Sequence, residues 1–142
     1  SKEEFKEMIK NDELLEYATV YNDYKGIPKE QVRKALKSGK DVILRVDVQG
    51  AAKIREPSPE AVVIFLLPSS VKEWHDRLNS RQTETEESMR IRLAKVKWEL
   101  EYLPIFDYLV VNRHNRLEET VDIISGIINS EHHRTVPRKI TL

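Results

Sequence analysis

In the stretch VILRVDVQGA, residues 42–51, Val42, Leu44, Val46 and Val48 alternate along one side, while Ile43, Arg45, Asp47 and Gln49 occupy the other. This period-two pattern predicts a strand over 41–48 with one packed face. The second face turns polar toward its C-terminal end. An acid placed there, Asp47, lies where α/β folds keep ligand chemistry. The same carboxylate would also suit structural work: capping the VQGAA turn or helix, pairing with Arg45, or pairing with a helix base. Gly39-Lys40 is the one Gly-Lys pair. Asp41 follows it, and Lys34 stands where a phosphate loop needs its first glycine, so it marks a helix end before a strand. His132-His133 sits in an aperiodic tail, and neither His75 nor His114 belongs to a His-x-x-x-His pair, so zinc is not expected.

The elements that must carry these residues follow from periodicity. Ser1 with Glu4 three residues on is a capping-box pattern, and Phe5, Met8 and Ile9 form the stripe of a first helix. Residues 14–21 are predicted extended and 22–26 a turn. Pro28 opens a helix with Val32, Ala35 and Leu36 on one face, ending at Gly39. After the 41–48 strand comes AVVIFLLP, residues 61–68, apolar on both faces as a covered central parallel strand would be. A helix is predicted over 69–81, capped by Ser69 or Ser70. The polar run QTETEES, 82–88, starts the next helix, with Glu84, Glu86 and Glu87 near its positive end. Met89, Leu93, Val96, Leu100 and Leu103 continue it. Residues 108–112 form a short strand, and Leu117, Val121, Ile124 and Ile128 mark a final helix. The tail beyond it has no period and is expected to be mobile. Strands alternating with helices predict an α/β fold with a mainly parallel sheet.

Composition bounds what such a domain does. Its 142 residues suffice for one core, and 24 basic residues balance 24 acidic ones. No global field recruits nucleic acid or an anionic membrane, so neither is an expected partner. The absence of cysteine excludes a disulfide framework and Cys-ligated zinc. The longest apolar run, residues 61–67, is too short to cross a bilayer.

Taken together, EEFKEMIKNDELLEYA, GKDVILRVDVQGA, RLNSRQTETEESMRIRL and FDYLVVN resemble guanylate kinase over nearly the whole chain before the tail. DYKGIPK and LRVDVQGA are most similar to the plant organellar branch, which implies a plastid or a mitochondrion, with the cytoplasm otherwise. The resemblance implies a three-layer P-loop kinase-type parallel sheet with a small GMP-binding subdomain and a helical lid. Residues 1–131 would be the kinase-like domain: 1–40 the GMP-binding subdomain, 41–68 core strands, 69–103 the lid and its flanking helices, 104–131 the C-terminal core, with 132–142 a tail. It implies phosphoryl transfer from ATP to GMP, with Mg²⁺. Glu16, in LLEYA, and Asp47 match the acids that contact guanine. Guanine presents N1–H and its exocyclic amine side by side, and carboxylates are acceptors only. Without the family, Glu16 is simply an exposed loop acid. Arg77, Arg81 and Arg92 match the lid arginines, which neutralise charge on the transferring phosphoryl group. Beside Glu84, Glu86 and Glu87 they could equally form solvated surface pairs. Asn112 matches a position near the ATP adenine, or caps a strand end.

The chain departs from that pattern at four places. Lys25 replaces a tyrosine that donates to the GMP phosphate, and an ammonium still suits phosphate. Ile27 replaces a hydroxyl residue near the base that would also cap the Pro28 helix, a loss of about 1 kcal/mol. Arg45 replaces the first acid of an Asp-x-Asp segment, a position tied to the magnesium water shell. The Gly-rich phosphate loop and its strand are missing from these residues. A chain without them would leave apolar surface open on neighbouring strands and be inactive alone. The alternative is an inactive guanylate-kinase-like module that binds protein partners, with Lys25 and Arg45 serving a phosphorylated or acidic ligand.

Overall fold

A computed structural model of the chain describes residues 1–20, 23–69 and 86–140. Its elements run α1 (Lys2–Lys10), β1 (Leu14–Val20), β2 (Asp23–Pro28), α2 (Lys29–Lys37), α3 (Val48–Arg55), β3 (Ile64–Pro68), α4 (Glu86–Leu100), a 3₁₀ turn (Leu103–Ile105), β4 (Tyr108–Asn112) and α5 (Leu117–His132). The fold is mixed α/β. β1 and β2 form an antiparallel hairpin, and β3 and β4 a parallel pair. The chain forms two compact units, Ser1–Ala61 with Lys139–Leu142, and Val62–Arg138. Residues 42–61 thus group with the first forty rather than with β3. The predicted helix over 69–81, apart from Ser69, and the segment up to 85 lie outside the described residues.

In the first unit, α1 starts on the capping box its sequence announces. Ser1 Oγ accepts from Glu4 N at 3.2 Å, and the Glu4 carboxylate accepts from Ser1 N at 2.5 Å. Of the predicted turn over 22–26, residues 23–26 are instead strand. Glycine there serves close approach: a Cβ on Gly26 would lie 2.8 Å from Phe5 Cζ, and Phe5 stacks on Tyr24 at 5.1 Å between centroids. α2 starts one residue later than expected, with Pro28 as its N-cap and no side-chain cap bond, so position 27 precedes the cap and the cap loss expected from Ile27 does not arise there. Leu15, Val32 and Ile54 form the centre of the core, with Ile27, Leu36, Val42, Leu44, Val46 and Ala61 packed around them. Burying each of Leu15, Val32 and Ile54 contributes about 1.5–3 kcal/mol, and the partly buried residues less.

The predicted strand over 41–48 does not form. Residues 41–47 belong to no strand, and Val48 begins α3. The burial pattern nevertheless alternates as predicted: Val42, Leu44 and Val46 are half-buried, and Ile43, Arg45 and Asp47 are exposed. Periodicity reports which face packs. A strand also requires a paired neighbour, and among the described residues these have none.

In the second unit, β3 and β4 pair in register from Ile64↔Tyr108 to Pro68↔Asn112. β3 is shorter than the predicted 61–68, and its two faces are not both covered. On one face Val110 is buried while its partner Leu66 is 45 % exposed; on the other Phe65 is buried while Leu109 is 48 % exposed. Phe65 meets Phe106 edge-on at 5.0 Å. α5 turns inward only part of the expected stripe. Thr120 is buried and Ile124, Ile127 and Ile128 are half-buried, whereas Leu117 and Val121 are exposed. The helix carries two apolar stripes, and the spacing of one does not say which is buried.

Arg138, in the aperiodic tail, donates from Nε to Glu131 Oε2 at 2.8 Å and lies 3.7 Å from Asp107 Oδ1. Tyr108 Oη donates to Glu131 Oε1 at 2.7 Å. These two donors, Arg138 first, hold the Glu131 carboxyl below its usual range, and the Glu131 bond raises the Tyr108 hydroxyl. A depressed acid stabilises the fold above its unfolded pKa of about 4.3, and that stability is lost as pH falls through the folded value. A raised tyrosine stabilises below its unfolded pKa of about 10 and loses this as pH rises through the folded value. Melting temperature measured against pH should therefore fall at both ends. Glu131→Gln should flatten both limbs relative to wild type, and parallel curves would show that this cluster carries no linkage.

Candidate functional site

The first unit builds a pair of carboxylates on one backbone position. In β1, Leu14 pairs with Pro28 but Glu16 pairs with Ile27, so the strand bulges at Leu15. The bulge sends both Leu14 and Leu15 into the core, at 6 % and 7 % exposure. It also re-aims the residues that follow. Ala18 pairs with Lys25, so Glu16 and Lys25 share a face of the hairpin, and Ile27, opposite Glu16, packs against the core. Glu16 is half-buried and Lys25 exposed.

α3 supplies the second acid. Asp47 is its N-cap: the backbone is extended, and Oδ1 accepts from Gly50 N at 2.8 Å. The capping alternative read from the sequence is therefore realised, and the pairing with Arg45 is not among the described ion pairs. One carboxylate oxygen remains. Among the described residues, neither Asp47 Oδ2 nor the Glu16 carboxylate has a hydrogen-bond partner. Both acids meet at Gly50, which is buried. A Cβ built there would lie 3.3 Å from Glu16 Cγ and 3.5 Å from Asp47 Oδ1. Two acceptor-only side chains, each with an oxygen unpartnered among the described residues, thus flank one residue, and acceptors of this kind suit a ligand edge carrying adjacent N–H donors. Beside them, Lys53 Nζ lies 5.6 Å from the Tyr17 ring centroid.

Sequence reasoning singled out Asp47 and Glu16 but treated Gly50 only as part of the VQGAA turn or helix. The signal was available. A glycine in a helix costs about 1 kcal/mol relative to alanine, so its presence in α3 asks for a packing reason.

Asn112 lies in the second unit, at the end of β4, where Thr120 Oγ1 donates to its Oδ1 at 3.2 Å. Thr120 is 3 % exposed, so this bond ties the strand end to α5. A cavity of about 280 Å³ opens beside it, lined by Leu109, Val111, Arg113, Arg116, Thr120 and Ile123. Arg92 belongs to α4, whereas Arg77 and Arg81 lie outside the described residues.

Against this geometry stand the relatives. The guanylate kinase family profile matches residues 1–131. Guanylate kinase 2, chloroplastic/mitochondrial, of Oryza sativa subsp. japonica is 46 % identical over 141 residues, covering 96 % of this chain and 50 % of that protein. Guanylate kinase of Oceanobacillus iheyensis is 43 % identical over 132 residues, covering 93 % of this chain and 63 % of its own. The crystal structure of guanylate kinase from Anaplasma phagocytophilum superimposes with a TM-score of 0.71 at 32 % identity, over 95 % of this chain and 64 % of that one. The chain spans between half and just under two-thirds of the length of these relatives.

Proposed function

Since the chain belongs to the guanylate kinase family, we propose that it carries the GMP-reading part of an enzyme that transfers the γ-phosphoryl group of ATP to GMP. The observation that carries this reading is the approach of the Glu16 and Asp47 side chains to Gly50, with carboxylate oxygens unpartnered among the described residues. Guanine offers N1–H and an amine to such a pair. Adenine has an acceptor at N1 and would leave a carboxylate unpaired. Lys25, on the Glu16 face, serves the GMP phosphate as a point charge.

A GMP phosphate oxygen attacks the γ-phosphorus of ATP, the bond to the bridging oxygen of ADP breaks, and GDP leaves. Such a reaction asks the protein mainly for alignment and charge stabilisation. Arg77, Arg81 and Arg92 supply the cations, and Asn112 borders the ATP adenine. Mg²⁺ would travel with the ATP phosphates as part of that substrate. Among the described residues no cluster of three or more His, Asp or Glu could hold it, and Arg45 occupies a position where the family has an acid. No observation favours the interaction-module reading. The rice relative is named chloroplastic/mitochondrial, which supports a plastid or mitochondrial location.

The test is a coupled assay of GMP-dependent ADP formation. Joined to an N-terminal segment with a strand and Gly-x-x-x-x-Gly-Lys-Ser/Thr, the chain is expected to turn over GMP, and the 142 residues alone are not. A joined protein that folds yet remains inert toward GMP and ATP would overturn the reading.

A further inference from the structure

We propose that Gly50 is a positioning residue for guanine recognition, setting both carboxylates through a single backbone site; this rests on the GMP reading above. Its amide donates to Asp47 Oδ1 at 2.8 Å, which fixes the rotamer of that acid and leaves Oδ2 as its outward acceptor. Its missing side chain makes room for the other acid, since a Cβ would stand 3.3 Å from Glu16 Cγ and 2.9 Å from Val46 Cβ. The left-handed region plays no part here. Gly39 is the one glycine with positive φ among the described residues, so Gly50 is required for space and not for conformation. Glycine within a helix is disfavoured, and the approach of Glu16 explains its use at this position.

The consequence is a coupling between two elements distant in sequence. Glu16 comes from a bulged strand and Asp47 from a helix cap. Each could drift separately if held by its own element alone. With Asp47 hydrogen-bonded to Gly50 and Glu16 packed against it, a change at that one residue moves both acids relative to the N1–H and exocyclic amine of guanine. IMP keeps N1–H and lacks the amine, so it probes that spacing without changing the phosphate, the sugar or the reaction.

The experiment uses the enzyme with its phosphate-loop segment. Values of kcat/KM for GMP and IMP, and KM for ATP, are measured for wild type and Gly50→Ala, each also in a Glu16→Ala background. Displacing an aligned group by a fraction of an ångström to an ångström costs up to about 10²-fold. Gly50→Ala should therefore shrink the GMP/IMP ratio by about 10- to 100-fold and raise KM for GMP, with KM for ATP within about twofold. In the Glu16→Ala background the same substitution should leave the ratio nearly unchanged, because its target is gone. If Gly50→Ala melts below assay temperature, the ratio is read below its melting temperature, with wild type and the Glu16→Ala variants measured at that same temperature. A ratio that stays at the wild-type value in a folded Gly50→Ala enzyme, or falls equally in both backgrounds, overturns the proposal. A wild type that does not prefer GMP over IMP, or does not phosphorylate GMP, instead overturns the reading on which it rests.

Discussion

Glu16→Gln and Asp47→Asn, made together in the enzyme with its phosphate loop, are expected to remove most of its preference for GMP over AMP. A site built around hydrogen-bonding groups rejects ligands that leave them unpaired by up to about 10⁴–10⁵-fold. With two acids sharing that task, each single substitution should narrow the ratio of kcat/KM values by about 10²-fold. Both changes spare the fold. Asparagine is as good an N-cap as aspartate, so Asp47→Asn keeps the bond to Gly50 N, whereas Asp47→Ala should also lose about 1 kcal/mol of helix stability. The Glu16 carboxylate has no partner among the described residues, so Glu16→Gln should move stability by less than about 0.5 kcal/mol. A glutamine amide still has one acceptor, and its NH₂ can donate to adenine N1, which raises the AMP rate as well as lowering that of GMP. Wild-type discrimination in both folded variants would reduce Asp47 to a cap and Glu16 to a surface acid.

Much of that site was legible before the structure, and the reasons differ by residue. Asp47 stood out because the face opposite Val42, Leu44 and Val46 turns polar, and the burial of those residues alternates as read. The strand itself was misread, because a hydrophobic pattern specifies a face and pairing needs a partner. The carboxylate's use as a cap was one of the alternatives open from sequence. Glu16 was legible only through the family motif. The bulge that re-aims it leaves Leu14-Leu15 looking like any apolar pair. Gly26 was taken for a turn residue, whereas its missing side chain admits Phe5 from another element. Gly50 was missed for the same reason. A glycine used for close approach leaves no local trace of what approaches it. In α5, Thr120 is buried through its bond to Asn112, while the more apolar Leu117 and Val121 are exposed. Composition favours the opposite arrangement, and the contact with β4 decides it.

Arg81→Ala and Arg92→Ala, each alone, are expected to lower kcat by about 10²-fold or more while raising KM for GMP much less. That split identifies a contact made chiefly in the transition state, since uniform binding would raise KM and leave kcat intact. The competing account is physical and specific. Both arginines neighbour Glu84, Glu86 and Glu87 in sequence, and exposed pairs of that kind contribute about 0–1 kcal/mol to stability and nothing to a rate. Charge on the transferring phosphoryl group is different, because it grows as the reaction proceeds and water is excluded, so a cation aimed at it gains strength when it matters for rate. Arg→Lys at each position separates charge from geometry. Lysine keeps the charge but lacks the planar fork, so it should recover only part of the loss if the contact is bidentate. Single-turnover rates confirm that chemistry, not product release, is being read. Wild-type kcat in both alanine variants would leave these arginines as surface ion-pair residues and move the search for the stabilising cations to other residues.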